Sequence, residues 1–345
     1  MKKIFLIFNH VMLNLVQHLE TLIFIRVTLR VISHLFRPRN KFGVTLFVSF
    51  LIFNCLPAAT HTGADFLKLA GGARIISLAE TSAAVKLDAS SFFHNPAGIA
   101  NSESEITFSH SAAPQGDAVV QYLGGIYSLK KHGALAIGIL SYRITPIPVT
   151  DEFNDDIGEL IWNDWAFSVA YGRNIFYDLS AGINLKYIYR YEKNPIFGKT
   201  IGIAKAVDFG ILYNVTFARN LKIGFAGENF GTKVIYSNDP VKDDLPSSVR
   251  CGMSYNILNT RENNFDISFD FLKETGDLFR PRFGGEYSYL NWLFLRGGYI
   301  NKAGKINGTN FGLGILWKDF GFDFASAVNS VFDRTTYISF FKKFY

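Results

Sequence analysis

The stretch Leu179–Tyr191, LSAGINLKYIYRY, decides how this chain folds. Leu179, Ala181, Ile183, Leu185, Tyr187, Tyr189 and Tyr191 fall on one side of an extended chain, and Ser180, Gly182, Asn184, Lys186 and Arg190 on the other. Successive side chains of a strand point to opposite faces, so period two sustained this long specifies a strand with one apolar face. Three tyrosines close that face.

The pattern recurs along the chain. Phe265, Ile267, Phe269 and Phe271 oppose Asp266, Ser268 and Asp270; Val249, Cys251, Met253, Tyr255 and Ile257 oppose Arg250, Gly252, Ser254 and Asn256; Phe311, Leu313, Ile315 and Trp317 oppose Gly312, Gly314 and Lys318. From Glu103 onward no long amphipathic helix interrupts the series. Fourteen strands are predicted, near 104–110, 118–128, 133–143, 162–172, 178–191, 204–214, 220–228, 248–258, 264–272, 281–289, 292–300, 308–317, 320–327 and 334–345. The number is even, as in a single-chain bacterial barrel.

A soluble sandwich would turn the apolar faces inward and wet the others. That explains the alternation, but not the aromatic strand ends, the export signal described below, or the number of strands. In an outer-membrane barrel the apolar face meets lipid, aromatic residues gather at the two interfaces and the polar face lines the lumen. Tyr187, Tyr189 and Tyr191, with Tyr287 and Tyr289, have the placing of such a girdle. The connections alternate as well. Long stretches at 144–161, 192–203 and 229–247 alternate with tight turns at Leu129–His132, Arg173–Tyr177, Val215–Asn220, Leu290–Asn291 and Lys318–Asp319. Short turns belong on the periplasmic side of an outer-membrane barrel.

Composition agrees with strands in an apolar medium: aromatics make up 16% of the 345 residues, with 34 Phe and 30 Gly. The net charge of +6 invites a nucleic-acid reading until it is located. Residues 1–60 hold seven Lys and Arg against the single acid Glu20, leaving 28 basic and 28 acidic residues of totals of 35 and 29. The basic excess therefore belongs to the leader, and a nucleic-acid partner is excluded.

Residues 37–60 combine a basic start, an apolar run from Val44 to Phe53 and a small-residue exit at Ala58-Ala59-Thr60, the shape of a secretory signal peptide. Residues 1–36 are either a further membrane-associated helix or an extension from a misplaced start codon. The stretch 61–102 is predicted to be an N-terminal plug, and 103–345 the barrel. The final strand ends on the aromatic Tyr345, with Phe340 and Phe341 adjacent in an otherwise alternating run.

No catalytic, metal or cofactor site is expected. The seven histidines stand at 10, 18, 34, 61, 94, 110 and 132, so none is available to the later barrel wall for a nucleophile or metal. Cys55 lies in the leader, leaving Cys251 without a disulfide partner. Asp151, Glu152, Asp155, Asp156 and Glu159 match no calcium-loop spacing and read as a solvated loop. The lumen-facing charges Lys186, Arg190, Arg250, Asp266, Asp270, Arg282, Glu286 and Arg296 are of mixed sign, which suits pairing across the lumen better than ion selection.

Between the leader and the strands runs GGARIISLAETSAAVKLDASSFFHNPAGIA, residues 71–100. Asn95-Pro96-Ala97-Gly98 within it is a turn, since Pro96 fixes its own φ and keeps Asn95 out of the helical region. Gly72-Ala73-Arg74, Ala83 or Ala84, Asp88-Ala89 and Asn95 to Gly98, with the later GGEYSYLNWLFLRGGY of residues 284–299, resemble PorV/PorQ proteins of the wider FadL-like group of outer-membrane barrels. The resemblance covers most of residues 63–345. It departs at Ile75–Ala79, where those proteins carry a Gly-Met-Gly-type stretch.

The resemblance implies an outer-membrane protein of a Gram-negative-type bacterium, in contact with lipid and without enzymatic activity. It implies either a component of protein secretion or surface assembly, with machinery or exported proteins as partners, or passage of long-chain fatty acids or other hydrophobic solutes. The first places a protein partner on 144–161 and 229–247. The second needs a hydrophobic ligand and an apolar path past the plug.

Overall fold

In the computed structural model, residues 62–112, 117–216, 218, 220–238, 240–275, 279–301, 308–329 and 334–345 are described. The predicted signal peptide and the segment before it lie outside them.

Sixteen strands follow one another: β1 (Ser104–Ala112), β2 (Ala118–Ser128), β3 (Ala134–Thr150), β4 (Asp156–Phe176), β5 (Leu179–Asn194), β6 (Gly198–Asn214), β7 (Leu221–Gly231), β8 (Val234–Tyr236), β9 (Lys242–Asp243), β10 (Ser248–Asn259), β11 (Asn263–Glu274), β12 (Arg280–Tyr289), β13 (Leu293–Ile300), β14 (Gly308–Trp317), β15 (Phe320–Asn329) and β16 (Arg334–Phe344). Fourteen of them, β1–β7 and β10–β16, form a closed antiparallel ring. The seam is the β1–β16 pairing, from Ser104 opposite Phe344 to Ala112 opposite Thr336. Closure leaves no strand edge, the condition for a sheet to stand in hydrocarbon. Among the described residues no helix is long and apolar enough to cross a membrane; the chain crosses with strands.

The period-two faces sort as their chemistry requires. Ile183, Leu185 and Tyr187 are exposed outward on β5, whereas Ser180, Asn184, Lys186 and Ile188 are buried inward. Outward Trp165 and Tyr189 lie ring to ring at 5.8 Å, and Phe167 and Tyr187 at 6.5 Å, cross-strand pairs that strengthen an aromatic band near the long-connection end. Tyr127, Tyr177, Trp292, Trp317 and Phe320 stand exposed near the other end. The adjacent aromatics of the last strand are resolved by facing opposite ways: Phe340 is exposed, while the ring of Phe341 covers Gly321.

Two of the predicted long connections are largely strand. β3 and β4 continue to a tip at residues 151–155, with Ile147 opposite Leu160 after a register shift beyond Ile144, and β5 and β6 continue to a tip at 195–197. Pro146 and Pro148 break the alternation there, which hid the pairing from a period-two reading. At ~3.3 Å per residue and a ~40° tilt, the 21 residues of β4 rise about 50 Å, twice the ~25 Å apolar band. The third long connection, 229–247, holds β8 and β9, which fold onto the far end of β6 through Gly202–Tyr236 and Ile203–Ile235. Strands of three and two residues leave no periodicity to read.

Ahead of β1 the segment Thr62–Ser102 carries a 3-10 turn at Asp65–Lys68, the short helix α1 (Ala73–Ser77) and a second 3-10 turn at Pro96–Ile99. Its start bonds the β7–β10 connection through Gly63 N to Asp244 O at 2.9 Å. Its end bonds the opposite side of the barrel, where Asn101 and Asn174 exchange side-chain hydrogen bonds at 2.6 and 3.1 Å.

Candidate functional site

The segment is held against the inward face of the wall by close backbone approach. Ideal Cβ atoms placed on Gly182 and Gly210 would collide with Pro96 and Asn95, and one on Gly298 would lie 2.5 Å from Ala79 N. Glycine at these inward positions lets two backbones touch where any side chain would hold them apart. The Asn95-Pro96-Ala97-Gly98 turn is wholly buried at this contact. Asn95 donates to Ala83 O at 2.6 Å and accepts from Ala97 N at 3.1 Å, with Pro96 at the first position of the turn.

Charge supplies the second attachment. Arg74 donates through Nε and Nη2 to both oxygens of Glu286, and through Nη1 to Lys86 O at 2.8 Å. Glu286 also accepts from Arg296 at 2.6 Å, and Arg296 from its other arm donates to Asp323 at 2.5 Å. Around the ring, Arg250 donates to Glu228 at 3.0 Å and to the backbone oxygen of Glu80 at 2.6 Å. The Asp270 carboxylate accepts from Ser82 N and Ala83 N at 2.7 and 2.9 Å, and Arg282 pairs with the Glu80 side chain. Burial pushes the Glu80 carboxyl up, but Arg282, with smaller contributions from His94 and Arg250, outweighs it and holds that carboxyl down to about 2. Asp88 is likewise held below the usual carboxylate range, where Arg74, Ser90 and Ser91 overcome its burial.

Lys186, Arg190, Arg250, Asp266, Asp270, Arg282, Glu286 and Arg296 lie on the polar faces of their strands, and their partners are on neighbouring strands or the N-terminal segment, not across the lumen. Lys186 pairs with Asp208 on the neighbouring strand at 2.8 Å and bonds Asn229 at 2.7 Å; Arg190 pairs with Asp164 at 3.1 Å; Arg250 and Asp270, and Arg296 and Glu286, pair between adjacent strands. Asp266 is bonded by Asn256 and Asn264 at 3.0 and 2.6 Å. A carboxylate or guanidinium reaches a neighbouring strand about 5 Å away, not a facing wall. Sequence reading passed over the acids Glu80, Asp164, Asp208, Glu228 and Asp323. For those on strands, the signal was their place on the polar face beside a basic residue.

The wall is chemically divided. Ion pairs stud β10–β15 and recur on β4–β6 as Lys186–Asp208 and Arg190–Asp164, but between these two pairs the inward faces of β2–β6 are small or apolar. There Tyr122, Ile126, Ala134, Ala136, Leu140, Ala166, Ala170, Ile188, Ala204 and Ala206 join Phe66, Leu67, Ala89, Phe92, Phe93 and Ile99 of the segment in one buried cluster. It reaches Val234 and Leu245 beyond the far end, with Tyr142 and Tyr236 packed against it. Among the described residues no group of three or more His, Cys, Asp or Glu is placed to hold a metal.

These features define a fourteen-stranded outer-membrane β-barrel. No protein-family model matches the chain, and no curated protein is similar to it in sequence. Solved structures share its fold. The toluene transporter TbuX of Ralstonia pickettii superposes with a TM-score of 0.56 at 13% identity over 80% of this chain and 99% of its own. The monoaromatic hydrocarbon channel CymD gives 0.55 at 14%, over 80% and 98%. A FadL homologue of Pseudomonas aeruginosa gives 0.50 at 9%, over 80% and 99%. At such identities the likeness is one of fold, a closed antiparallel barrel of the same kind.

Proposed function

We propose that this barrel passes small hydrophobic solutes across the outer membrane, with residues 62–102 acting as its plug. The observation that carries the reading is the apolar cluster between the segment and β2–β6, which runs from Val234 and Leu245 at one end to Ala134 and Ala170 near the other. A solute following that seam trades one apolar contact for another, avoids the paired charges on β10–β15 and passes beside only two, Lys186–Asp208 next to Phe93 and Arg190–Asp164 next to Tyr236. The segment is bonded to the charged side by directional ion pairs and to the apolar side by packing alone over much of its length. The apolar side is therefore the one that can part. The fold it shares with the toluene transporter TbuX and the monoaromatic hydrocarbon channel CymD is consistent with this choice. The secretion reading rests on a resemblance without a matching observation and is not carried forward.

The test is uptake of toluene or a long-chain fatty acid by liposomes containing the purified barrel. Entry should exceed that of empty liposomes, saturate, and fall severalfold in Ile188→Asp, which places a carboxylate in the seam. Entry equal to empty liposomes from a protein that still migrates as a folded barrel would refute passage.

A further inference from the structure

On the outward face of the β5–β6 hairpin, Lys193 and Lys199 stand directly opposite each other in register. Both are exposed. Like charges directly opposite on adjacent strands repel, and a protein usually answers with an acid on the diagonal. Here none answers. The side chains of Lys193, Lys199, Lys205 and Arg143 make no ion pair among the described residues, and Glu159, the acid on the same face of β4, pairs with none of them. The contact Lys199 does make is with the Tyr191 ring, its Nζ 5.3 Å from the centroid.

The height of this cluster matters as much as its charge. Along β5 the outward residues run Ile183, Leu185, Tyr187, Tyr189, Tyr191 and then Lys193, so the lysine pair lies immediately beyond the aromatic band. Lys205 faces out beside Tyr187, and Arg143 stands opposite Asn163, whose other neighbour is Tyr191. Aromatic rings mark the boundary between acyl chains and headgroups. The long-connection end of such a barrel faces the cell exterior. Cations placed just outside that boundary on the outer side meet the phosphates of the outer leaflet, their stems lying along apolar neighbours.

We infer that Lys193 and Lys199, supported by Arg143, bind the phosphate groups of a phosphorylated outer-leaflet glycolipid on the outside of the barrel. A phosphate between Lys193 and Lys199 accepts from both ammonium groups and converts their repulsion into a bridge. The site lies on the lipid side of the wall and stands whether or not the barrel passes hydrophobic solutes.

The test compares the wild-type barrel with the double variant Lys193→Gln, Lys199→Gln in detergent, titrated with lipid A and followed by native mass spectrometry. At about fivefold per lysine, the double variant should bind lipid A roughly twenty-five-fold more weakly. Lipid A stripped of its phosphates should bind both proteins alike. Both positions are exposed, so folded-barrel migration on gels should be unchanged, and Arg143→Gln supplies a second variant with a smaller loss. Equal affinity of wild type and double variant for lipid A, or undiminished wild-type binding of the dephosphorylated lipid, overturns the proposal. So does release of lipid A by millimolar inorganic phosphate, which would mark a site for free anions.

Discussion

Arg74 grips Glu286 with two parallel hydrogen bonds of 2.9 and 3.0 Å, joining the N-terminal segment to β12. Removing Arg74 leaves Glu286 paired with Arg296 but takes away both hydrogen bonds by which this wall residue holds the segment. Arg74→Ala should therefore undock the segment, seen as raised ion conductance in planar bilayers and new protease cleavage within residues 62–102. Arg74→Lys keeps the charge but not the fork and should fall between. Wild-type conductance and cleavage in Arg74→Ala would show that the pair does not hold the segment.

Acid should loosen the same attachment. The Glu80 carboxyl is held down to about 2 from an ordinary value of 4.5. A depressed carboxylate stabilises fully above its ordinary value and loses that contribution as pH falls toward the depressed one. Conductance should thus rise as pH drops from 4.5 toward 2, and Asp88 acts in the same direction. Glu80→Gln should show raised conductance already at neutral pH and a flatter acid response. A wild-type trace that stays flat across this interval contradicts the assignment.

Close approach at Gly182 can be tested by adding a side chain. Gly182→Val places atoms where Pro96 lies and should expel the 95–98 turn while the barrel still forms. Gly297→Ala points a methyl group into open space on the outer face and should change stability by no more than ~0.5 kcal/mol. Pro96→Ala leaves the seat intact but frees the chain, costing about 0.4–1 kcal/mol. The idea fails if Gly182→Val binds its segment as tightly as Gly297→Ala.

The β12–β13 turn contains a correctable defect. Leu290 and Asn291 both have positive φ, 48° and 57°, at the centre of the turn that Trp292 N closes on Tyr289 O at 3.1 Å. Leucine is a poor occupant of that conformation, so Leu290→Asn should gain about 1 kcal/mol. The gain is read as a higher urea midpoint with unchanged slope for unfolding from micelles; a lower midpoint would refute it.

Much of the wall was legible because lipid on one side and polar groups on the other impose period two, and Leu179–Tyr191 shows it almost without exception. Reading stopped where that constraint stops. Pro146, Pro148 and the tip of β4 stand beyond the apolar band, where pairing continues without alternation, and β8 and β9 are too short to carry a period. The face on which each charge stands is a local property that period two expresses. The partners of those charges were not legible, because register between strands and the path of residues 62–102 are set by long-range contacts. Gly182 illustrates the limit: in the sequence it is one small residue on a polar face, and only the position of Pro96 shows what its missing side chain makes room for.

The β1–β16 seam has a consequence for the order of assembly. Residues 62–102 precede β1 and are attached at both ends of the ring, through Asp244 on one side and Asn174 on the other. Threading such a bulky, charge-bonded stretch through a finished hoop is implausible on steric grounds alone. The sheet curls around residues 62–102 while Ser104–Ala112 and Arg334–Phe344 are still apart, so the first and last strands meet as the final clasp and the segment serves as the mandrel on which the cylinder is rolled.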